Sequence, residues 1–276
     1  MKTTLLACGL LLLSSAAMAQ TSATTAPATP PPPAPAAAAP LPPQGAVLFS
    51  SAEYRFQLDL AVNGAELAKY LPTGWTSNVA AQGPAKDANL RLIFVDQQEI
   101  AGPDNRVLGK GSNRIAMLAA PVKNAGGATA QVIIGGIAED TAQASDAFGV
   151  YLPATAARAS HALSTTGGVT TATEDWDFTA AGGEHLAIHL KFTKAAANRG
   201  IGATVFYNPA DPTKYVVSHT DGSTDITRNV TTNPPDRVQE FTLTASGGKY
   251  AALLNGAKPL SWDSQPVFSR TVNAAP

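Results

Sequence analysis

From Val47 onward the chain is written in two-residue periods broken by glycine-containing turns, and that pattern dictates β structure. Tyr54, Phe56, Leu58 and Leu60 alternate with Arg55, Gln57 and Asp59, the spacing that puts alternate side chains on opposite faces of a strand and leaves one face wet. Glu184 to Phe192 alternates in the same way, with Leu186, Ile188, Leu190 and Phe192 on one face and His185, Ala187, His189 and Lys191 on the other. Further strands are expected at Leu90 to Val95, Ile115 to Val122, Ala130 to Ile137, Val205 to Tyr207, Tyr215 to Val217, Val238 to Thr244, Tyr250 to Leu254 and Val267 to Val272. Gly126-Gly127, Gly167-Gly168, Gly182-Gly183, Asp221-Gly222, Gly247-Gly248 and Asn255-Gly256 supply the turn chemistry between them. The one clear helical segment, Gly64 to Leu71, ends where Pro72 forbids continuation. No internal repeat is visible. Many short strands with glycine turns predict a mainly β fold, an antiparallel β-barrel or closed sandwich with one or two short helices, over a single domain of residues 46–276.

The region ahead of that domain has a different composition. Lys2, the apolar run Leu5 to Leu13 and the small-x-small pattern Ala17-Met18-Ala19 predict a secretory signal over residues 1–19, cleaved after Ala19, and hence a periplasmic or secreted protein. Residues 20–45 are dominated by Ala, Pro, Thr and Ser and are expected to be a disordered linker, extended where prolines crowd. The single cysteine, Cys8, falls inside the signal, so the exported chain has no thiol for disulfides, catalysis or metal binding. Loss of Lys2 leaves 18 basic against 20 acidic residues, a net charge of −2 with both signs scattered. Neither nucleic acid nor an anionic membrane surface is an expected partner, and no apolar run after residue 20 is long enough to cross a bilayer. The oligomeric state is not encoded in any motif.

No catalytic, metal or cofactor motif is specific. His185 and His189 share a strand face but stand about 13 Å apart along it, too far for one metal ion. Gly109-Lys110-Gly111-Ser112-Asn113-Arg114 lacks phosphate-loop spacing and leads into a strand, which favours a glycine-rich hairpin. There is no G-x-S-x-G elbow. Two groups are candidates for ligand binding. Arg228 and Arg237 flank the rigid Asn233-Pro234-Pro235-Asp236 turn and could clamp a carboxylate, or could satisfy the loop's own polar groups. Phe148, Tyr151 and Trp75, with Trp176, are core aromatics or the wall of an apolar cavity.

One further pattern is informative. An opening strand is followed by a short helix ending in Leu71-Pro72-x-Gly74, a strand at Leu90 to Val95 and a long paired segment to Ile137. The aromatic-Gly segment Phe148-Gly149-Val150-Tyr151-Leu152-Pro153 then leads into more antiparallel strands. Over roughly residues 50 to 272 this resembles the acetoacetate decarboxylase-like β-barrel superfamily. The resemblance implies a barrel with an apolar interior cavity, and places that family's Schiff-base lysine directly after the aromatic-Gly-x-Pro segment. Here Ala154 and Thr155 occupy those positions, and no lysine occurs between Lys123 and Lys191. Without a primary amine there, Schiff-base decarboxylation cannot run. The expected function is therefore a non-catalytic exported barrel, without cofactor, holding a small apolar or carboxylate ligand. The alternatives are a lyase or hydrolase without Schiff-base chemistry and an envelope interaction domain. Convergent ionisable groups in the cavity would favour an enzyme; a purely apolar lining would favour a binder.

Overall fold

The computed structural model describes residues 41–143, 148–232 and 236–276. The signal segment, most of the linker and Asn233-Pro234-Pro235 lie outside them. The elements are β1 (Val47–Ala61), α1 (Gly64–Ala68), β2 (Trp75–Ser77), β3 (Leu90–Ala101), β4 (Asn113–Asn124), β5 (Thr129–Ala138), β6 (Tyr151–Thr166), β7 (Val169–Ala180), β8 (His185–Thr193), β9 (Asn198–Tyr207), β10 (Tyr215–Asn229), β11 (Val238–Ser246), α2 (Gly248–Leu254) and β12 (Lys258–Ala274). All twelve strands belong to one sheet, in the order β11-β8-β7-β6-β5-β9-β10-β12-β1-β3-β4-β2. An additional β5–β4 pairing closes β4-β5-β9-β10-β12-β1-β3 into a ring. The mainly β, closed architecture expected from the alternation is present. The ring is not a regular barrel, because β5 meets β9 in parallel, through Gln131↔Phe206 and Val132↔Tyr207 alone. The same strand pairs in parallel with β6 at Gly136↔Tyr151, and so joins the ring to the four-stranded extension β6-β7-β8-β11.

β1 shows how the alternation is spent. Phe56, Leu58 and Leu60 point outward from the ring into the main apolar layer. There they meet Leu92 and Phe94 of β3, Leu118 of β4, Trp176 and Phe178 of β7 and Leu186, Ile188, Leu190 and Phe192 of β8. Tyr250, Leu253 and Leu254 of α2 and Leu67 of α1 join the same layer. The other β1 face, expected to be wet, is instead enclosed: Ser51, Glu53, Arg55 and Asp59 are all buried. Closure of the ring turns that face inward, and a single strand's pattern cannot report closure.

Three further differences have local causes. Tyr250 to Leu254 is helix, not strand. Ala251-Ala252-Leu253-Leu254 are helix formers, and Tyr250, Leu253 and Leu254 are the buried i, i+3, i+4 face of α2. Asp221-Gly222 is no turn: both lie inside β10. A Cβ at Gly222 would stand 2.5 Å from the Phe268 ring, so glycine serves close packing there. The β6–β7 hairpin, in register from Ala157↔Phe178 to Thr166↔Val169, turns at the expected Gly167-Gly168, but its strands have no bounds in the sequence reading because β6 is rich in alanine, which carries little β preference. At the domain's start the last linker residues are tied down: Tyr215 donates to the Pro43 carbonyl (2.7 Å), and Gly45 N–H donates to Ala274 O (2.8 Å). Among the described residues no helix is long and apolar enough to cross a membrane.

Candidate functional site

The ring encloses a cavity of about 220 Å³ to which every ring strand contributes. The charged groups of the wall are gathered on neighbouring strands. The adjacent strands β12, β1 and β3 supply Arg270, Arg55 and Arg91, with Gln265 and Gln57. β4, β5 and β9 supply Met117, Ala119, Ile133 and Phe206 together with Gln131 and Thr204, β10 supplies Ser218 and Thr220, and Ile93 and Phe268 stand among the arginines. Inward-facing register explains the grouping: Arg55 stands opposite Gln265 of β12, and Asp59 opposite Arg91 of β3. A small apolar cluster (Ile93, Val95, Ile115, Met117, Ala119, Ile133, Ala138 and Tyr151) continues the apolar part of the wall.

Two carboxylate systems hold the guanidiniums. Glu53, fully buried, pairs with Arg55 and, at 2.9 Å, with Arg270, and accepts hydrogen bonds from Ser51 and Gln97. Burial alone would raise its pKa, but Arg270, Arg55 and the hydrogen bonds outweigh burial and pull it down to about 2. Phe268 covers the Arg55 guanidinium at 3.9 Å and Phe49 that of Arg270 at 5.2 Å. The second system is Asp59 with Asp263. Asp59 accepts from Arg91 Nε at 3.0 Å and from Gln57, and Asp263 accepts from Ser261 at 2.6 Å. Burial and the nearby Asp59 charge push Asp263 up to about 7, and burial raises Asp59 despite Arg91. The pair therefore keeps a proton to near neutrality. Arg91 is the most solvent-accessible of the three arginines, its side chain 32% exposed against 10% for Arg55 and 3% for Arg270. Arg270 Nε, Gln131 Oε1 and Gln265 Oε1 are buried without a hydrogen bond among the described residues. Polar capacity around the cavity therefore remains unused.

The residues singled out in the sequence are placed as follows. Tyr151 is buried in the apolar cluster beside the cavity, its hydroxyl 3.9 Å from Met117 Sδ. Phe148 is half-buried. Trp75 lies tilted against Tyr207 with ring centroids 4.9 Å apart and packs on the outer apolar layer. Arg228 pairs with Asp236 at 2.8 Å and lies over Trp262. Arg237 is saturated by Asp225 and by the carbonyls of Thr193 and Ile226. Both arginines thus bind their own loop and the neighbouring strands. Ala154 packs on the outer apolar layer, whereas Tyr151, three residues earlier, faces the ring interior. His185 and His189 pair with Asp177 and Asp175 on the outward face of β8, the latter also with Glu240. Among the described residues no group of three His, Cys, Asp or Glu could hold a metal ion.

The cavity arginines escaped the sequence reading because each sits alone in its strand. The weak signal was Glu53, Arg55 and Asp59 at period two, a charge density unusual for a strand face. A second buried polar group also went unread: Glu174 accepts from Tyr54 (2.7 Å), Ser264 (2.9 Å) and Trp176 (3.3 Å) inside the apolar layer. Burial raises its pKa in spite of these donors.

No protein-family model and no curated protein matches the chain. Solved structures do. The enduracididine biosynthesis enzyme MppR, complexed with the condensation product of pyruvate and imidazole 4-carboxaldehyde, superposes with a TM-score of 0.50 at 13% identity, covering 86% of this chain and 88% of that one. An acetoacetate decarboxylase-like enzyme from Sphingomonas wittichii RW1 gives 0.47 at 13% identity, over 82% and 91%. Acetoacetate decarboxylase from Legionella pneumophila subsp. pneumophila str. Philadelphia 1 gives 0.48 at 10%, over 86% and 92%. At these identities the likeness speaks for architecture alone: this chain shares its fold with MppR.

Proposed function

We propose that the protein is an exported, non-catalytic receptor that holds a small carboxylate with an apolar body inside the ring. One observation carries this reading: three guanidiniums from adjacent strands line one side of a cavity that Met117, Ile133 and Phe206 also line. An arginine cluster recognises a carboxylate by charge-assisted, often bidentate hydrogen bonds, and the apolar lining residues suit a hydrocarbon tail. A dry cavity of about 150 Å³ accepts benzene, so this one has room for about eight or nine non-hydrogen atoms.

Ionisable groups do converge on the cavity, the feature expected to mark an enzyme. They are arginines, however, which hold charge permanently and neither attack nor shuttle protons. Among the described residues no lysine, histidine or carboxylate lines the cavity itself, Asp59 meeting it through Arg91, and the position after Pro153 is alanine. The enzyme alternative draws its support from the fold, shared with MppR, and fold does not carry function. The test is thermal unfolding with 4-methylpentanoate and its uncharged amide. The acid should raise Tm in a concentration-dependent way, the amide should not, and Arg91→Gln should weaken the effect at least tenfold. Equal stabilisation by both compounds would overturn the carboxylate assignment. A borohydride-trappable adduct with a β-keto acid would restore the enzyme.

A further inference from the structure

Resting on the carboxylate reading above, we infer that the ligand enters together with a proton: it draws Arg91 away from Asp59, and the proton is then kept between Asp59 and Asp263. The geometry supplies each part. Asp59 and Asp263 lie on the inward face of paired strands, diagonal to one another, since Gln57↔Asp263 and Asp59↔Ser261 are the register partners. Arg91 Nε binds Asp59 at 3.0 Å and the same residue lines the cavity. One cation thus serves two sites, and as the most solvent-accessible of the three arginines it has the most freedom to turn. Arg55 and Arg270 cannot be released as readily, because Glu53 holds both.

The groups facing the acid pair come from every neighbouring strand. They are Gln57 on β1, Arg91 on β3, Ser261 on β12 and Asp225 on β10, the last neutralised by Arg237. Among the described residues Arg91 is the cation bonded directly to the pair. When a ligand carboxylate takes it, Asp59 remains buried without its cation beside a second acid, and two uncompensated buried charges are costly. Taking a proton from solvent removes one of them. Charge is then conserved at the site: one anion and one proton enter together. Burial and Asp59 already hold Asp263 protonated to about pH 7 in the free protein. Ligand binding extends that range upward. Affinity should therefore be flat below about pH 7 and fall above it, by up to about tenfold per pH unit, until the liganded pair also ionises.

Isothermal titration of the full exported chain with 4-methylpentanoate from pH 6 to 8.5, in buffers of different ionisation enthalpy, measures proton uptake per ligand. About half a proton or more is expected near pH 7.5. At pH 6, where the wild-type pair already holds its proton, Asp263→Asn should bind within about threefold of wild type, and its uptake should stay at about a fifth of a proton or less up to pH 8.5. Asp59→Asn provides the same comparison if the first variant fails to fold. Binding that is independent of pH and of buffer would overturn the proton coupling while leaving the carboxylate reading intact. Uptake persisting in both variants would overturn the assignment to this pair. Absence of binding at every pH would overturn the carboxylate reading, and the coupling with it.

Discussion

The two faces of β1 look onto two different interiors. Outward, Phe56, Leu58 and Leu60 enter a layer packed from both sides, with Trp176, Phe178 and Phe192 opposite. Inward, Glu53, Arg55 and Asp59 enter a ring that keeps a 220 Å³ cavity. Both faces are buried, yet one is made of transfer free energy and the other of compensated charge. The outer layer is the cheaper way to build stability, because buried ion pairs seldom outperform apolar packing. That the chain retains three arginines and three acids around the ring interior argues that this face is kept for binding.

The contrast should break most visibly when each interior is damaged in its own way. Phe178→Ala, in the outer layer, removes a fully buried ring and should cost about 3–5 kcal/mol, with carboxylate affinity unchanged in whatever fraction remains folded. Denaturant unfolding and titration together check it. A matching loss of affinity would mean the layers are not independent. Glu53→Gln attacks the other interior. It strands Arg55 and Arg270 without their carboxylate and should cost about 3 kcal/mol near neutral pH. The pH dependence gives it a signature. Glu53 is lowered in the folded state, so its contribution is complete above the unfolded carboxylate range of about 4 and is lost as pH falls toward 2. Glu53→Gln should flatten that acid limb. Asp263 behaves in the opposite sense. Its folded value is raised, so its stabilising contribution is full below about pH 4 and is lost as pH rises through about 7. Asp263→Asn should remove that decline, leaving the variant at least as stable as wild type at pH 8. A wild-type stability curve flat from pH 4 to 7 would contradict the protonated pair.

Tyr151→Ala tests the border between the two interiors. The ring sits in the apolar cluster beside the cavity, with Gly136 so close that a Cβ there would stand 2.5 Å from it. Removal should merge new space with an existing void, at a cost of about 2 kcal/mol, below the usual range for a buried aromatic. Uptake of a fluorescent apolar probe should increase. A loss as large as that of Phe178→Ala, with no change in probe uptake, would place Tyr151 in filled core.

How much of this was legible depended on how local each cause is. The β8 face Leu186, Ile188, Leu190 and Phe192 could be read directly, since alternation within one strand already fixes it. The fold class followed from alternation and glycine turns, and the family likeness from element order with two short motifs. Ring closure could not be read, because it depends on β5 meeting β4 and β9, partners far apart in sequence. The mistaken wet face of β1 follows from that alone. The cavity was legible only as an implication of the resemblance, and its arginines, one each on β1, β3 and β12, form a cluster only once those strands are adjacent. Arg228 and Arg237 drew notice because they are close in sequence, yet each is occupied by a nearby acid.

That last point yields the smallest expected effect. Arg228 pairs with Asp236, half-exposed beside the loop, and touches Trp262 from the rim of the outer layer. It lines neither the cavity nor the acid pair. Exposed ion pairs contribute about 0–1 kcal/mol, and the Trp262 contact adds little more at such a site. Arg228→Ala should therefore lower stability by about 1 kcal/mol or less and leave 4-methylpentanoate affinity within about twofold. Arg91→Gln should do the reverse for binding, lowering affinity at least tenfold. If the two variants exchanged these behaviours, the anion site would belong to the loop ahead of β11, and the ring cavity would be a packing void.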